Sequence, residues 1–350
     1  MKRLDFNLAD NPRASVLIVY TGGTLGMDYD ENGTLAPCGF ERILPKLPVV
    51  KELNINLSVV SFDPPIDSSN IKVSHWSLMA QIIEEHYQQF DGFLILHGTD
   101  TMAYSASALS FMLQGLNKPV IFTGAQLPIA SPRSDGHENF VTALEIAADK
   151  RDGVPIISEV CLYFNHVLLR GNRSKKVESH QFNAFESENY PVLARAGIVI
   201  NYNHPAIKPY DRQGTLDIFT NLCEEVLILK LFPGIHESTA RSILQVPGIK
   251  GVVMESYGSG NVPHQPWFLN LLEQTIASGV TVLNVSQCNG GRVVQGKYEA
   301  SSSLDKIGVV SGHDITLEAA TAKLMYVLAR HHDPAEIKKC LITSISGEIN

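Results

Sequence analysis

The chain has 350 residues, of which 44% are hydrophobic and 18% are charged, and its formal net charge is −8. This composition excludes an intrinsically disordered chain and is typical of a globular protein that is large enough for two domains. The negative charge is moderate and mixed along the chain. It therefore predicts neither a nucleic-acid partner nor a membrane surface.

Five cysteines are scattered along the chain and form no Cys-x-x-Cys pair. An odd, widely spaced set of this kind indicates reduced thiols. The amino terminus lacks the apolar segment of a secretion signal, and no apolar run approaches the ~20 residues that cross a bilayer. We therefore expect a soluble, cytoplasmic protein.

The first recognisable element is the apolar, β-branched run Val16–Val19, which predicts a buried strand. Thr21-Gly-Gly-Thr24 follows it, and the two glycines allow the backbone to turn sharply. Open α/β sheets bind their ligands at the carboxyl ends of strands, where Thr21 and Thr24 are expected to lie. An ordinary strand-to-loop turn explains the same residues if this motif is taken alone.

The pattern of a strand followed by small and polar residues then recurs, with predicted helices in between. Thr99 or Asp100 is expected to cap the second of these helices. The predicted strands are 57–62, 92–96, 119–123 and 159–164, and the predicted helices are 76–89, 101–113 and 135–148.

This alternation predicts an α/β fold with a larger N-terminal, mostly parallel sheet that is flanked by helices. Residues 203–222 are rich in proline and lack periodicity, which predicts a linker. We expect an N-terminal catalytic α/β domain over 1–202 and a smaller C-terminal α/β domain over 223–350. The second domain contains predicted strands 226–231, 251–254 and 280–285 and closing helices 316–330 and 334–341.

Hydroxyl groups at the predicted strand ends indicate nucleophilic catalysis. A threonine hydroxyl is a weak nucleophile until a base removes its proton. Thr99, Asp100 and a lysine form a possible relay, in which the hydroxyl passes the proton and the acid orients the amine. Amide groups around Gly22, Gly23 and Thr99 are candidates for stabilising an oxyanion.

Two motifs together resemble the paired signatures of bacterial-type L-asparaginases, with the cytoplasmic type I branch as the closer match. They are Tyr20-Thr-Gly-Gly-Thr-Leu-Gly-Met27 and His97-Gly-Thr-Asp-Thr-Met-Ala-Tyr104. Further anchors follow in the family's order along nearly the whole chain. These are Asp67-Ser-Ser69, Thr123-Gly-Ala-Gln126, Arg133-Ser-Asp-Gly136, Arg170-Gly-Asn-Arg173 and Ser256-Tyr-Gly-Ser-Gly-Asn261.

The resemblance implies catalytic roles by position. Thr24 matches the family's first, nucleophilic threonine, and Thr99 and Asp100 match its second threonine and its acid. The family lysine lies three residues after the second arginine of Arg-Gly-Asn-Arg, which is Lys176 here. Lys175 is the adjacent competitor, and we interpret it as a solvated surface charge.

The resemblance also implies a substrate-binding set. Asp67, Ser68 and Ser69 resemble the segment that holds the α-amino and α-carboxylate groups of the substrate, and Ala125 resembles a backbone contact to its side-chain amide. Opposite charges on a small zwitterion suit an acid beside backbone amides. The implied reaction is the hydrolysis of L-asparagine to L-aspartate and ammonia without a cofactor.

Two departures from the family pattern leave questions open. Many relatives carry a tyrosine in the loop after the nucleophile, where this chain has Thr34. Tyr29 is the nearest loop tyrosine, but we favour Tyr298 as the active-site phenol, with simple packing as the alternative.

The second departure concerns an effector pocket that some type I relatives use for asparagine. The matching positions here are Lys175, Glu255 and Cys288. We hypothesise that Lys175 and Glu255 pair and leave no effector site. The resemblance also implies a homo-oligomer, a dimer or a tetramer, in which Asn261 reaches a neighbouring subunit's site.

Metal and cofactor sites are not predicted. Gly312-His-Asp314 and His331-His332 lack the spacing of a zinc set, and Gly258-Ser-Gly260 does not make a dinucleotide fingerprint. We interpret His97 as structural.

Two other functions compete with an asparaginase. The glutaminase subunit of an archaeal-type glutamyl-tRNA amidotransferase shares the motifs, but normally has an extra N-terminal domain, and fifteen residues precede Val16 here. A silent amino-acid sensor would bind asparagine without releasing ammonia.

Overall fold

The computed structural model describes residues 2–6, 11–29, 35–37, 43, 52–295 and 299–350. The chain divides into two compact units, Met1–Thr220 and Asn221–Asn350. Residues 203–220, most of the predicted linker, lie in the first unit, where Asp217–Ile218 pairs with Leu113–Gln114.

The first unit contains a nine-stranded sheet with five parallel strands in its middle and antiparallel strands at both edges. The spatial order of the strands is β1-β3-β2-β4-β5-β6-β7-β8-β9. This mixed sheet confirms the predicted α/β fold. The strands are β1 (Lys2–Phe6), β2 (Ala14–Gly22), β3 (Ile55–Ile66), β4 (Gly92–Leu96), β5 (Val120–Thr123), β6 (Val160–Phe164), β7 (Val167–Arg170), β8 (Ala194–Ala196) and β9 (Ile200–Tyr202).

The central strands have continuous apolar sequences because helices cover both faces of the sheet, as is usual for parallel strands. Every residue of β4 and β5 is buried. The helices are α1 (Val73–His86), α2 (Met102–Met112) and α3 (Gly136–Ala148).

Tertiary contacts change some of the predicted boundaries. The strand expected at 57–62 extends over Ile55–Ile66, because β2 supplies hydrogen-bonding partners along its length up to Gly22 opposite Ile66. The helix expected at 76–89 instead begins at Val73 and ends at His86. Helix α2 is within one residue of its prediction at both ends, and all of its residues except Tyr104 are buried.

The prediction that Thr99 or Asp100 caps α2 is wrong. The N-cap position is Thr101, whose side chain makes no capping hydrogen bond. The two predicted caps have other partners: Thr99 donates to Gln126, and Asp100 accepts from Lys176. A side chain that is engaged in a site is not available to bond the first turn of a helix.

The second unit contains a four-stranded parallel sheet in the order β10-β11-β12-β13, with helices around it. Its apolar core includes Leu229, Met254, Phe268 and Leu272. The strands are β10 (Val226–Lys230), β11 (Gly251–Ser256), β12 (Thr281–Ser286) and β13 (Val310–Ser311), and the helices are α4 (Glu237–Leu244), α5 (Pro266–Ala277), α6 (Glu299–Ile307), α7 (Leu317–Arg330) and α8 (Pro334–Ile342).

Short strand pairs complete the described fold. They are Met27–Tyr29 with Leu35–Pro37, Lys150–Arg151 with Val154–Pro155, Lys175–Lys176 with Phe185–Glu186, and Leu113–Gln114 with Asp217–Ile218. Within the described ranges, the helices are all too short or too polar to cross a membrane.

Candidate active site

The turns that follow β2, β3 and β4 are in direct backbone contact. A Cβ atom on Gly23 would lie 2.5 Å from the backbone nitrogen of Gly98, and one on Gly98 would lie 2.5 Å from Ser68 Oγ. A side chain at Gly22 would likewise overlap the backbone of Ile66. Glycine is therefore required at these positions, and its absence of a side chain lets three loops meet at one edge of the sheet.

Thr24 opens a short 3₁₀ turn immediately after these glycines. Gly22 and Gly23 have φ values of +126° and +88°, which an L side chain rarely adopts. The turn over Thr24–Gly26 is closed by the Gly26 amide, which donates to the Gly23 carbonyl at 3.1 Å. Tyr20 also donates its hydroxyl to the Gly26 carbonyl at 3.2 Å. This buried support holds a half-buried Thr24 at the carboxyl end of β2.

Lys176 joins the other predicted catalytic residues. Its Nζ atom donates to Thr99 Oγ1 at 2.8 Å and to Asp100 Oδ1 at 2.7 Å. Thr99 is buried, the Lys176 side chain is 18% exposed and that of Asp100 is 66% exposed. The structure thus brings a hydroxyl, an amine and a carboxylate together, with the amine between the other two.

The short strand Lys175–Lys176 explains why Lys176 makes these contacts and Lys175 does not. This strand pairs with the strand Phe185–Glu186, so that Lys176 lies opposite Phe185 and Lys175 lies opposite Glu186. Successive side chains of a strand point to opposite faces. Only one of two adjacent lysines can therefore face Thr99.

Gln126 contacts Thr99 and had no role assigned from the sequence. The Thr99 hydroxyl donates to Gln126 Oε1 at 3.2 Å, and Gln126 Nε2 donates to the Gln181 carbonyl at 3.1 Å. The Asp135 carboxylate accepts the backbone amides of Gln126 and Leu127. In the sequence, Gln126 was recognisable as the polar residue that follows Gly124 and Ala125 after β5, in the Thr123-Gly-Ala-Gln126 motif.

Ala125 lies beneath the start of α3. It is buried, and a Cβ atom on Gly136 would lie 3.2 Å from the Ala125 side chain. The close approach of α3 fixes the backbone of this turn, which is the part of Ala125 that the family resemblance assigns to substrate binding.

The Asp67–Ser69 turn is held partly by its own side chains. Asp67 Oδ1 accepts the Ser69 amide at 3.0 Å, and the Ser68 carbonyl accepts the Thr101 hydroxyl at 2.8 Å. Ser68 is buried, whereas Asp67 and Ser69 are exposed. The turn therefore presents a carboxylate and a hydroxyl beside the Thr99 loop, a combination that suits a small ligand carrying an ammonium group.

His97 supports the Thr99 turn from the core. The Trp76 indole donates to Ser105 at 2.8 Å, Ser105 lies 2.9 Å from His97 Nε2, and His97 Nδ1 lies 2.7 Å from the Gly98 carbonyl. A neutral imidazole that donates from Nδ1 satisfies this chain of hydrogen bonds. Burial lowers the pKa of His97 to about 4, although the Gly98 carbonyl acts in the opposite direction. This environment fits a structural role.

Other predicted residues cannot be placed in the site. Tyr298 and Thr34 lie outside the described residues, so the choice between Tyr29 and Tyr298 stays a prediction. Glu255 is buried in the second unit with Lys230 Nζ at 3.5 Å, and its expected pairing with Lys175 also stays a prediction. Across the described ranges, no group of three or more His, Cys, Asp or Glu side chains is arranged to hold a metal ion.

Comparison with known proteins identifies the family. Residues 15–208 match the family described as "Asparaginase, N-terminal", and residues 225–341 match "Glutaminase/Asparaginase C-terminal domain". The chain is 39% identical to L-asparaginase 1 of Escherichia coli K12 over 96% of this chain and 98% of that protein. It is 32% identical to a glutamyl-tRNA(Gln) amidotransferase subunit of Methanopyrus kandleri over 96% of this chain and 75% of that protein.

A solved structure agrees with these matches. L-asparaginase I of Vibrio cholerae superposes with a TM-score of 0.85 at 37% identity, over 97% of this chain and 99% of that one. The two family domains and the close relatives confirm the resemblance that was seen in the Tyr20–Met27 and His97–Tyr104 motifs. The chain belongs to the asparaginase family.

Proposed function

We propose that this protein is an L-asparaginase that hydrolyses L-asparagine to L-aspartate and ammonia with Thr24 as the nucleophile. The observation that carries the proposal is the contact of Lys176 with both Thr99 and Asp100, on the loop that touches the turn before Thr24. The family membership and the near full-length similarity to an E. coli L-asparaginase support the reaction.

The first half of the reaction is acylation. The Thr24 oxygen attacks the side-chain amide carbon of asparagine and gives its proton to the departing nitrogen, which leaves as ammonia. Backbone amides at the glycine turn stabilise the oxygen of the tetrahedral intermediate. The product is an ester between Thr24 and the β-carboxyl group of the substrate.

The second half is hydrolysis of that ester. Thr99 accepts a proton from water while it passes its own proton to the Lys176 amine, and Asp100 orients the amine. The hydroxide formed attacks the ester carbon, and the Thr24 oxygen leaves and recovers a proton. Aspartate is released, and the side chains return to their starting states.

Substrate recognition rests on the turns at the same sheet edge. The Asp67 carboxylate binds the α-ammonium group, Ser68 and Ser69 bind the α-carboxylate, and the Ala125 backbone contacts the amide. A substrate without the ammonium group leaves the Asp67 charge without its counterion, so it binds less well.

The amidotransferase function is the second candidate, because a subunit of such an enzyme is 32% identical over nearly the whole chain. That function delivers ammonia to a partner and needs tRNA for full activity. Ammonia release from asparagine by the purified chain alone separates an asparaginase from this candidate. A silent sensor would bind asparagine and release no ammonia at all.

The decisive experiment measures ammonia release by wild type and Thr24→Ala with asparagine and glutamine in parallel. We expect turnover of asparagine by wild type and a fall in kcat of roughly 10⁴-fold in the variant. Thr321→Ala is the control, since its hydroxyl donates to the Leu317 carbonyl within α7. Equal turnover by wild type and Thr24→Ala would contradict the proposed nucleophile.

Cellular location and assembly belong to the same proposal. The scattered cysteines support a cytoplasmic protein with reduced thiols. We expect a homo-oligomer, a dimer or a tetramer, and fractionation and sedimentation measurements test these two expectations.

A further inference from the structure

Gln126 is half-buried and lies where three parts of the candidate active site meet. Its side chain contacts Thr99, which follows β4, and the backbone carbonyl of Gln181. The turn that carries Gln126 also contacts the nucleophile turn, because the Ile129 amide donates to the Leu25 carbonyl at 3.4 Å. A polar side chain at this junction is close enough to the proposed proton relay to act on the reaction.

The orientation of the Gln126 carboxamide is fixed by a partner that can only accept. Gln126 Nε2 donates to the Gln181 carbonyl at 3.1 Å. With the amide turned the other way, Gln126 Oε1 would face that carbonyl oxygen, and no hydrogen bond would form. Oε1 therefore faces Thr99, whose hydroxyl donates to it at 3.2 Å.

The backbone beneath this side chain is held by further hydrogen bonds. The Asp135 carboxylate accepts the Gln126 amide at 2.9 Å and the Leu127 amide at 3.0 Å. The buried side chain of Asn139 donates both to Asp135 and to the Gly124 carbonyl, each at 3.1 Å. Support of this kind keeps a functional group within the narrow range of positions that catalysis needs.

The Thr99 hydroxyl has a single proton to donate, and the state of Lys176 decides where that proton goes. While Lys176 carries its own proton it can only donate, as it does to Thr99 at 2.8 Å, so the Thr99 proton goes to Gln126. The proposed relay needs the opposite arrangement, in which a neutral Lys176 accepts the proton of Thr99. In that state Gln126 Oε1 loses its donor and can accept from another molecule.

The other molecule that the reaction requires at this point is water. Because Gln126 Oε1 lies within hydrogen-bond distance of Thr99 Oγ1, one water molecule can donate to both oxygens. Thr99 takes one water proton and passes its own to Lys176, while the second proton stays on the water oxygen and is held by Gln126. That oxygen bonds to the ester carbon, the bond to the Thr24 oxygen breaks, and the Thr24 oxygen recovers the relayed proton. Holding the water at two points restricts its direction of attack.

We propose that Gln126 is a catalytic residue of the hydrolysis step, in which its side-chain oxygen positions the attacking water beside Thr99. The inference rests on the proposed function, because the water attacks the ester on Thr24. Acylation uses no water, so Gln126 acts on only one half of the reaction. A neutral amide suits this task, since a carboxylate so near Lys176 would favour the charged amine, which cannot accept the Thr99 proton.

The test traps the Thr24 ester with hydroxylamine, which attacks as the free amine and needs no base to form its nucleophile. At a fixed hydroxylamine concentration, the ratio of aspartyl β-hydroxamate to aspartate compares trapping with hydrolysis of the same ester. We expect Gln126→Leu, which removes the acceptor but keeps a similar size, to raise this ratio roughly 10-fold or more. The ratio is set within each acyl-enzyme, so it does not depend on the fraction of the variant that folds.

Gln89→Leu is the matched control. The side-chain oxygen of Gln89 also accepts a hydrogen bond, from Arg3 at 3.1 Å, but it lies on the exposed surface, so the ratio should equal that of wild type. Steady-state kinetics give a second measurement. The value of kcat/KM covers the steps up to ammonia release, and we expect it to stay within about two-fold of wild type in Gln126→Leu. An unchanged hydroxamate-to-aspartate ratio in Gln126→Leu overturns the proposal, and so does a roughly 10-fold fall in kcat/KM.

Failure of the proposed function gives a different result. Thr24→Ala should form neither aspartate nor hydroxamate. A wild type that forms neither product contradicts the proposed function, and this inference with it. A wild type that forms both products, in a ratio that Gln126→Leu leaves unchanged, contradicts the role of Gln126 alone.

Discussion

The two large sheets of this protein both have polar residues at the ends of their strands, but these residues bond to different kinds of partner. In the second unit they bond one another: the Ser256 hydroxyl donates to Asn284 at 2.6 Å, and the Ser286 hydroxyl donates to the Gly258 carbonyl at 2.6 Å. In the first unit, the strand-end groups Thr99 and Asp100 are bridged by one lysine amine. Polar strand ends thus either hold the fold together or, as we propose for Thr99 and Asp100, take part in catalysis, depending on the partners that the fold provides.

The largest effect is expected from replacing Lys176, the lysine that bridges Thr99 and Asp100. We expect Lys176→Met to lower kcat by about 10²–10⁴-fold, because the proposed proton relay through Thr99 loses its base. Steady-state ammonia release measures the effect. Lys175→Met is the matched control, since the adjacent side chain lies on the opposite face of the strand, and we expect a change of less than about two-fold. Equal losses in both variants would mean that neither lysine is specific to the relay.

The buried imidazole beneath the Thr99 turn makes the first unit sensitive to acid. The pKa of His97 is about 4 in the folded chain and 6.5 is its ordinary value. The unfolded chain therefore takes up the proton first. The stability that His97 contributes is complete above pH 6.5 and is lost as the pH falls towards 4. Between pH 7 and pH 4.5 we expect a loss of about 2–3 kcal/mol from this group.

Urea unfolding at both pH values measures this effect by comparing wild type with His97→Gln. The variant lacks the titrating group, so its stability should fall by less than that of wild type over the same interval. His180→Gln is the control, because His180 is exposed, and it should follow wild type. Parallel curves for wild type and His97→Gln would show that His97 does not titrate as described.

The hydrogen bonds at the strand ends of the second unit predict a smaller effect, which concerns stability and not catalysis. Asn284 accepts the Ser256 hydroxyl and donates to the Gly260 carbonyl at 3.3 Å, and all of these contacts are buried. We expect Asn284→Ala to lower the free energy of unfolding by about 1–3 kcal/mol, because it removes two buried hydrogen bonds, one from the Ser256 hydroxyl and one to the Gly260 carbonyl. Thermal unfolding measures the loss. The kcat for asparagine should stay near the wild-type value, and a large fall in kcat at unchanged stability would contradict a structural role.

Local sequence was sufficient for much of the fold. Apolar runs such as Gly92–Leu96 predicted the buried parallel strands, and the α2 and α3 helices lie within one residue of their predicted bounds. The motifs around Thr24 and Thr99 identified the family, and that identification is confirmed by matches over most of the chain. These features depend on periodicity and on short motifs, which are local properties.

Other features depended on residues that are distant in sequence. Gln126 meets Thr99 only because β4 and β5 are neighbours, and β3 extends to Ile66 only because β2 runs beside it. The same cause removed Thr99 and Asp100 as helix caps, since Lys176 and Gln126 engage their side chains. No local pattern reports such partners.

By itself the sequence determined the central strands of both sheets and several of the helices that flank them, the family to which the chain belongs, and the residue types that are available for catalysis. The tertiary structure decided which of two adjacent lysines faces Thr99, which polar strand ends bond each other, and which large apolar side chains, such as Ile198, stay exposed. The physical reason is that hydrophobic periodicity is set within a few residues along the chain. Hydrogen-bond satisfaction and exposure, in contrast, are set by neighbours that only folding brings together.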